Sequence, residues 1–122
     1  MITSTLFHWP IKGQEELVER FRKRTGEPFM TQDSISTYGD IWILKEALEK
    51  AGAVDRTKVG EAMHAMDTTT GPARFFPGGR VKFEKNGRRA GAPVVIIRWQ
   101  NGEPITVYPP DAAVGQARWS KR

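Results

Sequence analysis

Histidines are the first residues to test for chemistry, and the chain has only two. His8 stands beside Trp9-Pro10 at the end of a predicted strand, and His64 lies in a predicted helix. Neither has partners at metal-ligand spacing, and no HExxH motif or Asp-rich calcium loop occurs. A hydrogen-bonded or solvent-facing histidine is therefore a better interpretation than a metal ligand at both positions.

Nucleophiles and glycine loops give no stronger signal. The chain has no cysteine, which excludes a thiolate nucleophile and a Cys-based zinc site, and it has no GxSxG elbow. Asp33 precedes Ser34, but helix capping explains that pair without catalysis. Pro77-Gly78-Gly79 and Asn86-Gly87 lead into extended sequence, so they favour turns over phosphate-binding loops. The residues predict no reaction, no metal and no cofactor, and hence a protein that is not an enzyme.

Length and charge limit the partners. The 122 residues suffice for one modest domain, and no stretch approaches the ~20 continuous apolar residues of a membrane span. The net charge of +5 raises nucleic-acid binding, but the basic residues are scattered, and the group at 20–24 suits the C-terminal end of a helix dipole. We expect no membrane insertion and no nucleic-acid partner, with a basic nucleic-acid-binding module as a less favoured alternative.

The predicted elements follow the order strand, three helices, short strand and hairpin, which indicates a mixed α/β fold. Asn101-Gly102 is the strongest short-range hairpin signal and predicts positive φ at both residues. A tail over 109–122 is expected to be loosely ordered. The predicted strands are Ile2–Phe7, Arg80–Phe83, Pro93–Trp99 and Pro104–Tyr108, and the predicted helices are Gln14–Arg24, Ser34–Ala51 and Arg56–Met66.

The helix predicted over Ser34–Ala51 is the strongest element. Asp33 or Ser34 is the expected N-cap, because either side-chain oxygen can accept from a first-turn amide. The row Val94–Ile97 predicts a strand that is covered on both faces. Such surfaces need partners, so we expect self-association. The apolar face of the helix is predicted to comprise Ile35, Tyr38, Ile41, Trp42, Leu48 and Ala51, widened by Leu44 and Ala47.

Two segments resemble the C-terminal part of type I periplasmic solute-binding proteins of the leucine/isoleucine/valine-binding type. Thr31–Gly52, followed by Asp55–Val59, is similar to that family's Y-D-A-x-x-x-L-x-x-A-I-x-x-A-G-S-x-D stretch. Gly71–Ala73 with Gly79–Gly87 is similar to its G-x-x-G-x-x-x-F-D-x-x-G crossover. The helix over Leu17–Gly26 fits the segment just upstream. The order and spacing of these motifs over residues 2–110 carry the resemblance.

The sequence departs from the family pattern at three places. Gly39-Asp40 stands where the family often has Asp-Ala, which we expect to be a small change on the helix. Glu84 replaces the usual Asp, and Arg88-Arg89 replaces an acidic or polar pair. Family members are also much longer than this chain.

The resemblance implies a two-lobed fold with the ligand in the cleft. Residues 1–122 would form one partial domain that contributes to both lobes, with the strand Ile2–Phe7 and the hairpin in one lobe and the three helices in the other. Asp33, Ser34 and Tyr38 correspond to the part that lines the cleft, and they are the candidate ligand-binding residues. Helix capping is an equally good interpretation of Asp33.

The resemblance also implies a function. It predicts a substrate-binding component that closes over a branched-chain amino acid or related small carboxylate and delivers it to an ABC permease in the periplasm, without bond chemistry. Residues 1–7 show no secretory signal. The alternative is a small free-standing binding or regulatory domain that forms a homo-oligomer through the long helix.

Overall fold

The computed structural model describes residues 2–5 and 11–118, with the backbone alone for residues 2–5. Within those residues the fold is mixed α/β, with three helices and two small antiparallel sheets, which confirms the predicted mixed α/β class. The predicted strand, three helices, short strand and hairpin occur in that order. The sequence did not predict β2 or the 3-10 helix. The helices are α1 (Glu15–Thr25), α2 (Gln32–Ala51), α3 (Arg56–His64) and the 3-10 helix Gly71–Phe75; the strands are β1 (Ile2–Thr5), β2 (Asp67–Thr68), β3 (Val81–Lys82), β4 (Val95–Gln100) and β5 (Glu103–Tyr108).

The chain divides into two compact units. The first combines Met1–Ile35 with Pro93–Arg122, and the second is Ser36–Ala92. The resemblance assigned all three helices to one lobe, whereas in the structure α1 belongs to the same compact unit as β4 and β5. Helix periodicity shows that α1 has an apolar side without showing which element covers it.

The sheet of the first unit has the order β1-β4-β5, and every neighbouring pair is antiparallel. Gln100 pairs with Glu103 across a two-residue turn. Asn101 has φ 52° and Gly102 has φ 80°, so the predicted hairpin with positive φ at both residues is confirmed. Of the predicted first strand, residues 6 and 7 lie outside the described residues.

β4 is buried on one face. Val95 and Ile97 are buried, Ile96 is half-buried, and Val94, just before the strand, is exposed. The prediction of a strand covered on both faces is therefore wrong. Val95 packs in a core cluster with Ile11 and Ala112. A row of β-branched residues indicates a strand, but the other elements of the fold decide how many of its faces are covered.

Residues 109–118, expected from the sequence to form part of a loose tail, are hydrogen-bonded to the sheet and to the loop before α1. The Ala112 carbonyl accepts from the Lys12 amide at 3.0 Å, and the Val114 amide donates to the Thr106 carbonyl at 2.9 Å. These bonds, with the burial of Ala112, extend the first unit beyond the hairpin.

The charged residues at the two ends of α1 and the glycine that ends it all favour a helix over this segment. Glu15 and Glu16 lie in the first turn and Arg22, Lys23 and Arg24 in the last, so both complement the helix dipole. Gly26, at φ 76°, ends the helix by donating its N–H to the Arg22 carbonyl at 2.9 Å. The Arg22 guanidinium also contacts the Glu103 carboxylate of β5 at 2.8 Å, which joins α1 to the sheet.

The buried face of α2 differs from the predicted one. Ile43 and Ala47 are buried, whereas Ile41 is 60% exposed and Leu44 is 40% exposed. The prediction was wrong to include Ile41 and Leu44 and to omit Ile43. Both sides of this helix carry large apolar residues, so spacing alone cannot select the packed side.

The rest of the second unit consists of short elements that are stabilised by helix caps and ion pairs. Asp55 caps α3, since its Oδ1 accepts from the Lys58 amide at 2.9 Å. β2 and β3 pair antiparallel, and both Asp67 oxygens accept from Arg80 at 2.8 Å. The predicted turn after β3 is confirmed by the Gly87 amide, which donates to the Glu84 carbonyl at 2.9 Å.

Candidate functional site

The first turn of α2 holds two of the three predicted ligand-binding residues. The helix begins at Gln32, and Thr31 is its cap: Thr31 Oγ1 accepts from the Ser34 amide at 3.3 Å, and the Thr31 carbonyl accepts from the Ile35 amide at 3.1 Å. The prediction of Asp33 or Ser34 as N-cap is wrong. Threonine and serine are both good capping residues, and only backbone geometry shows which one precedes the first turn.

Asp33 and Ser34 are close together in that turn. Asp33 is exposed and Ser34 is half-buried, and the Ser34 hydroxyl lies 3.0 Å from the Thr31 hydroxyl. Because Thr31 caps the helix, the Asp33 carboxylate is not needed for that role. The turn therefore offers an accessible carboxylate, which suits an ammonium group of a ligand.

Tyr38 lies in the second unit, where it belongs to an aromatic cluster. Its ring meets Phe75 edge to face at 5.1 Å between centroids and 89° between planes, and it meets Trp42 at 6.3 Å and 65°. Each such aromatic pair contributes about 0.5–1.5 kcal/mol to stability, in addition to the contribution from burying the rings. Trp42 packs on Tyr38, as expected of a core aromatic, and Lys45 Nζ lies 5.7 Å from the Trp42 ring centroid.

Gly39 lies against the ring of Phe76. A Cβ on Gly39 would stand 2.7 Å from Phe76 Cζ and 2.9 Å from its Cε2, closer than packed carbon atoms approach. The sequence suggested that glycine in place of the family's Asp is a small change on the helix. That expectation is wrong, because any side chain at position 39 would displace Phe76. Next to it, burial raises the pKa of the Asp40 carboxyl.

Trp99 and the two histidines belong to other segments of the chain than α2. Trp99 is 37% exposed and meets Phe29 edge to face at 5.7 Å. His64 is exposed at the end of α3, and His8 and Trp9 lie outside the described residues. Over residues 11–118 no group of three or more His, Asp or Glu side chains is placed to hold a metal ion. Nor does that part of the chain contain a helix that is long and apolar enough to cross a membrane.

Sequence reasoning missed the contact between Arg22 and Glu103. The two residues are 81 positions apart, so no local spacing links them. Each has a local explanation, Arg22 as a helix-end cation and Glu103 as the residue after a turn. Only the packing of α1 on β5 brings them together.

Comparison with known proteins gives one family. The family model for periplasmic binding protein matches residues 1–104. The "Leu/Ile/Val-binding protein homolog 7" of Brucella suis biovar 1 is 33% identical over 106 residues, which are 87% of this chain and 26% of that protein. The "Leu/Ile/Val-binding protein homolog 8" of Brucella melitensis biotype 1 is 29% identical over 109 residues, which are 89% of this chain and 27% of that protein.

The chain thus spans about a quarter of the length of these curated relatives. The match nevertheless covers most of the chain, and it includes the motifs within residues 17–87 on which the sequence resemblance rests. This family consists of solute-binding proteins rather than enzymes. The chain belongs to the periplasmic binding protein family.

Proposed function

We propose that the chain is part of the substrate-binding component of an ABC transporter for branched-chain or related amino acids, or small carboxylates. The observation that carries the proposal is the family match over residues 1–104 together with relatives named for leucine, isoleucine and valine binding. In this role the protein works in the periplasm, passes its ligand to a membrane permease, and changes no covalent bond of the ligand. It is a binding protein and not an enzyme.

Within this proposal, the two compact units belong to different lobes. Each unit is a piece of one lobe of a larger protein, and residues 1–122 contribute to both lobes. We place ligand contacts at Asp33 and Ser34 in the first turn of α2, and at Tyr38. The Asp33 carboxylate is exposed and is not the helix cap, so it is available to a ligand ammonium group. Tyr38 adds an aromatic surface for an apolar side chain.

The experiment is a nuclear magnetic resonance titration of the labelled 122-residue chain with L-leucine. We expect weak binding, because most of the cleft would come from the rest of a longer protein, with shifts at the amides of Asp33, Ser34 and Tyr38. Asp33→Asn removes the charge and should weaken these shifts. Asp55→Asn is the matched control, since Asp55 also starts a helix and asparagine caps equally well.

Two results would count against the proposal. Leucine shifts that map to α3 or β3 would mean that the candidate residues are misassigned. Equal weakening by Asp33→Asn and Asp55→Asn would mean that the Asp33 carboxylate does not contact the ligand.

A second candidate function, a free-standing oligomeric binding domain, is favoured by one observation on α2. Ile41 is 60% exposed and Leu44 is 40% exposed, and residues three apart lie side by side on a helix. We propose that this patch makes a contact between two copies of the chain. Burying a large apolar side chain stabilises by about 1.5–3 kcal/mol.

Sedimentation of the chain at micromolar concentration tests self-association. We expect a dimer or larger species that Ile41→Glu converts to a monomer. Val54→Glu is the control, because Val54 is 99% exposed and follows α2 in a loop. A monomer for the unmodified chain would exclude this contact.

A further inference from the structure

A pocket in the first unit lies between α1 and β5. Its volume is about 250 Å³, somewhat below the roughly 300–1,000 Å³ of pockets that hold drug-sized ligands. The size therefore suits a small organic molecule. Most of its wall is apolar, formed by Ile11, Val18, Met30, Ile105 and Val114, with Phe29 and Pro104.

The apolar wall is firmly built. Ile11 and Met30 are buried, and the Gln14 side chain accepts from the Ile11 amide at 3.2 Å. Phe29 makes an edge-to-face contact with Trp99, with 5.7 Å between the ring centroids. Such a surface is a preformed binding surface for a compact branched apolar group.

The charges that line the pocket are mostly acidic. Glu15, Glu19 and Glu103 stand against one guanidinium, that of Arg22, so three negative charges against one positive charge leave two negative. Arg22 is already paired with Glu103 at 2.8 Å. The pocket therefore combines an apolar body with a carboxylate rim.

Two lysines lie near this rim without lining the pocket. Lys23 Nζ is 3.3 Å from Glu19 and its side chain is 74% exposed, and Lys12, beside Ile11, is exposed. Pairs between exposed, flexible lysines and carboxylates are weak, at about 0–1 kcal/mol. A ligand cation that also buries apolar surface has an advantage over these lysines at the same carboxylates.

We propose that this pocket is a second binding site, for a small organic ammonium ion with a branched apolar body. The apolar body packs on Val18, Ile105 and the wall around them, and the ammonium lies at the rim among the carboxylates of α1 and Glu103. This site is separate from the candidate residues on α2, and it does not rest on the proposed transport function.

Three probes with the same apolar body separate charge from shape: 3-methylbutylamine, 3-methylbutan-1-ol and 3-methylbutanoate. We expect the amine to bind about three- to fivefold more tightly than the alcohol, as expected for one partly exposed charge pair, and the carboxylate to bind most weakly. The readout is the set of amide shifts of the labelled 122-residue chain near neutral pH. They should centre on Val18, Arg22 and Ile105, and added salt should reduce the amine's advantage.

Glu19→Gln should bring the affinity for the amine toward that of the alcohol while leaving the alcohol unchanged. Glu16→Gln is the control, since Glu16 lies on the same helix and is exposed, but does not line the pocket. Equal affinity for the three probes, shifts away from α1 and β5, or no shift with any probe would overturn the proposal. The probe series on the unmodified chain decides the matter even if a variant fails to fold. Leucine shifts on α2 are read separately, so this site and the proposed function can fail independently.

Discussion

Two glycines show how differently the two units depend on the same residue type. Gly102, in the β4–β5 turn of the first unit, has φ +80°, and a Cβ added there would meet nothing within 4 Å. Gly39, in the second unit, has ordinary helical geometry, but Phe76 occupies the place where its Cβ would be. The hairpin needs the backbone freedom of glycine, whereas α2 needs its small size.

This difference determines whether the need for glycine at each position can be predicted from the sequence. A turn requirement is local, so Asn101-Gly102 between two β-rich segments predicts the hairpin correctly. A requirement for space is set by Phe76, which is 37 positions away along the chain (76 minus 39). No pattern within α2 indicates that contact, so the need for glycine at position 39 could not be predicted.

The largest expected effect is at Gly39. Gly39→Ala should destabilise the protein by about 2 kcal/mol, because overpacking a buried contact outweighs the helix preference of alanine. Gly60→Ala is the matched control, since Gly60 lies in α3 with nothing within 4 Å of an added Cβ. It should stabilise by up to about 1 kcal/mol. Chemical denaturation of both variants measures the difference.

A double substitution identifies the cause of the Gly39 effect. Phe76→Leu, which removes part of the ring, should reduce the cost of Gly39→Ala when the two changes are combined. Phe76 is also covered by Arg89, whose guanidinium lies 5.3 Å from the ring centroid, so the ring cannot move aside freely. Strictly additive effects, or two glycine variants of equal stability, would show that Gly39 is not needed for space.

A smaller effect is expected at Gly102. Gly102→Val should destabilise by about 1 kcal/mol, because a β-branched residue at positive φ is strained. Gly102→Asn should cost less, since asparagine tolerates this conformation. Thermal denaturation of the two variants tests the turn, and a valine variant as stable as the unmodified protein would mean that the strain has been relieved by a different turn.

Other parts of the fold follow the same division between local and distant causes. The end of α1 at Gly26 and the Asp55 cap of α3 each depend on residues within a few positions along the chain. The cap of α2 was misplaced from Thr31 to Asp33 or Ser34, since three neighbouring residues are all good caps. At the candidate site, the sequence named the α2 residues by family resemblance, but it could not predict the pocket, which needs α1 and β5 to pack together.

The smallest expected effect concerns the β2–β3 pair, which lacks the tight turn of β4–β5 and is held by charge. Asp67 accepts two hydrogen bonds from Arg80, and Lys82 Nζ lies 3.4 Å from it. The Arg80 hydrogen bonds, with help from Lys82, lower the pKa of Asp67 from 3.8 to about 2. The folded state thus favours the ionised carboxylate more than the unfolded chain does.

The direction of the pH effect follows from that shift. The stabilisation by Asp67 is complete above its unfolded pKa of 3.8, and it is lost as the pH falls through the folded value of about 2. Asp67→Asn removes this contribution, so the melting temperature of the variant should fall less steeply than that of the unmodified protein over this acidic range. Asp111→Asn, which removes a carboxylate from an exposed turn after β5, should leave the slope unchanged. Parallel curves for the unmodified protein and Asp67→Asn would mean that Asp67 does not stabilise the β2–β3 pair, and that this pair depends on its backbone bonds alone.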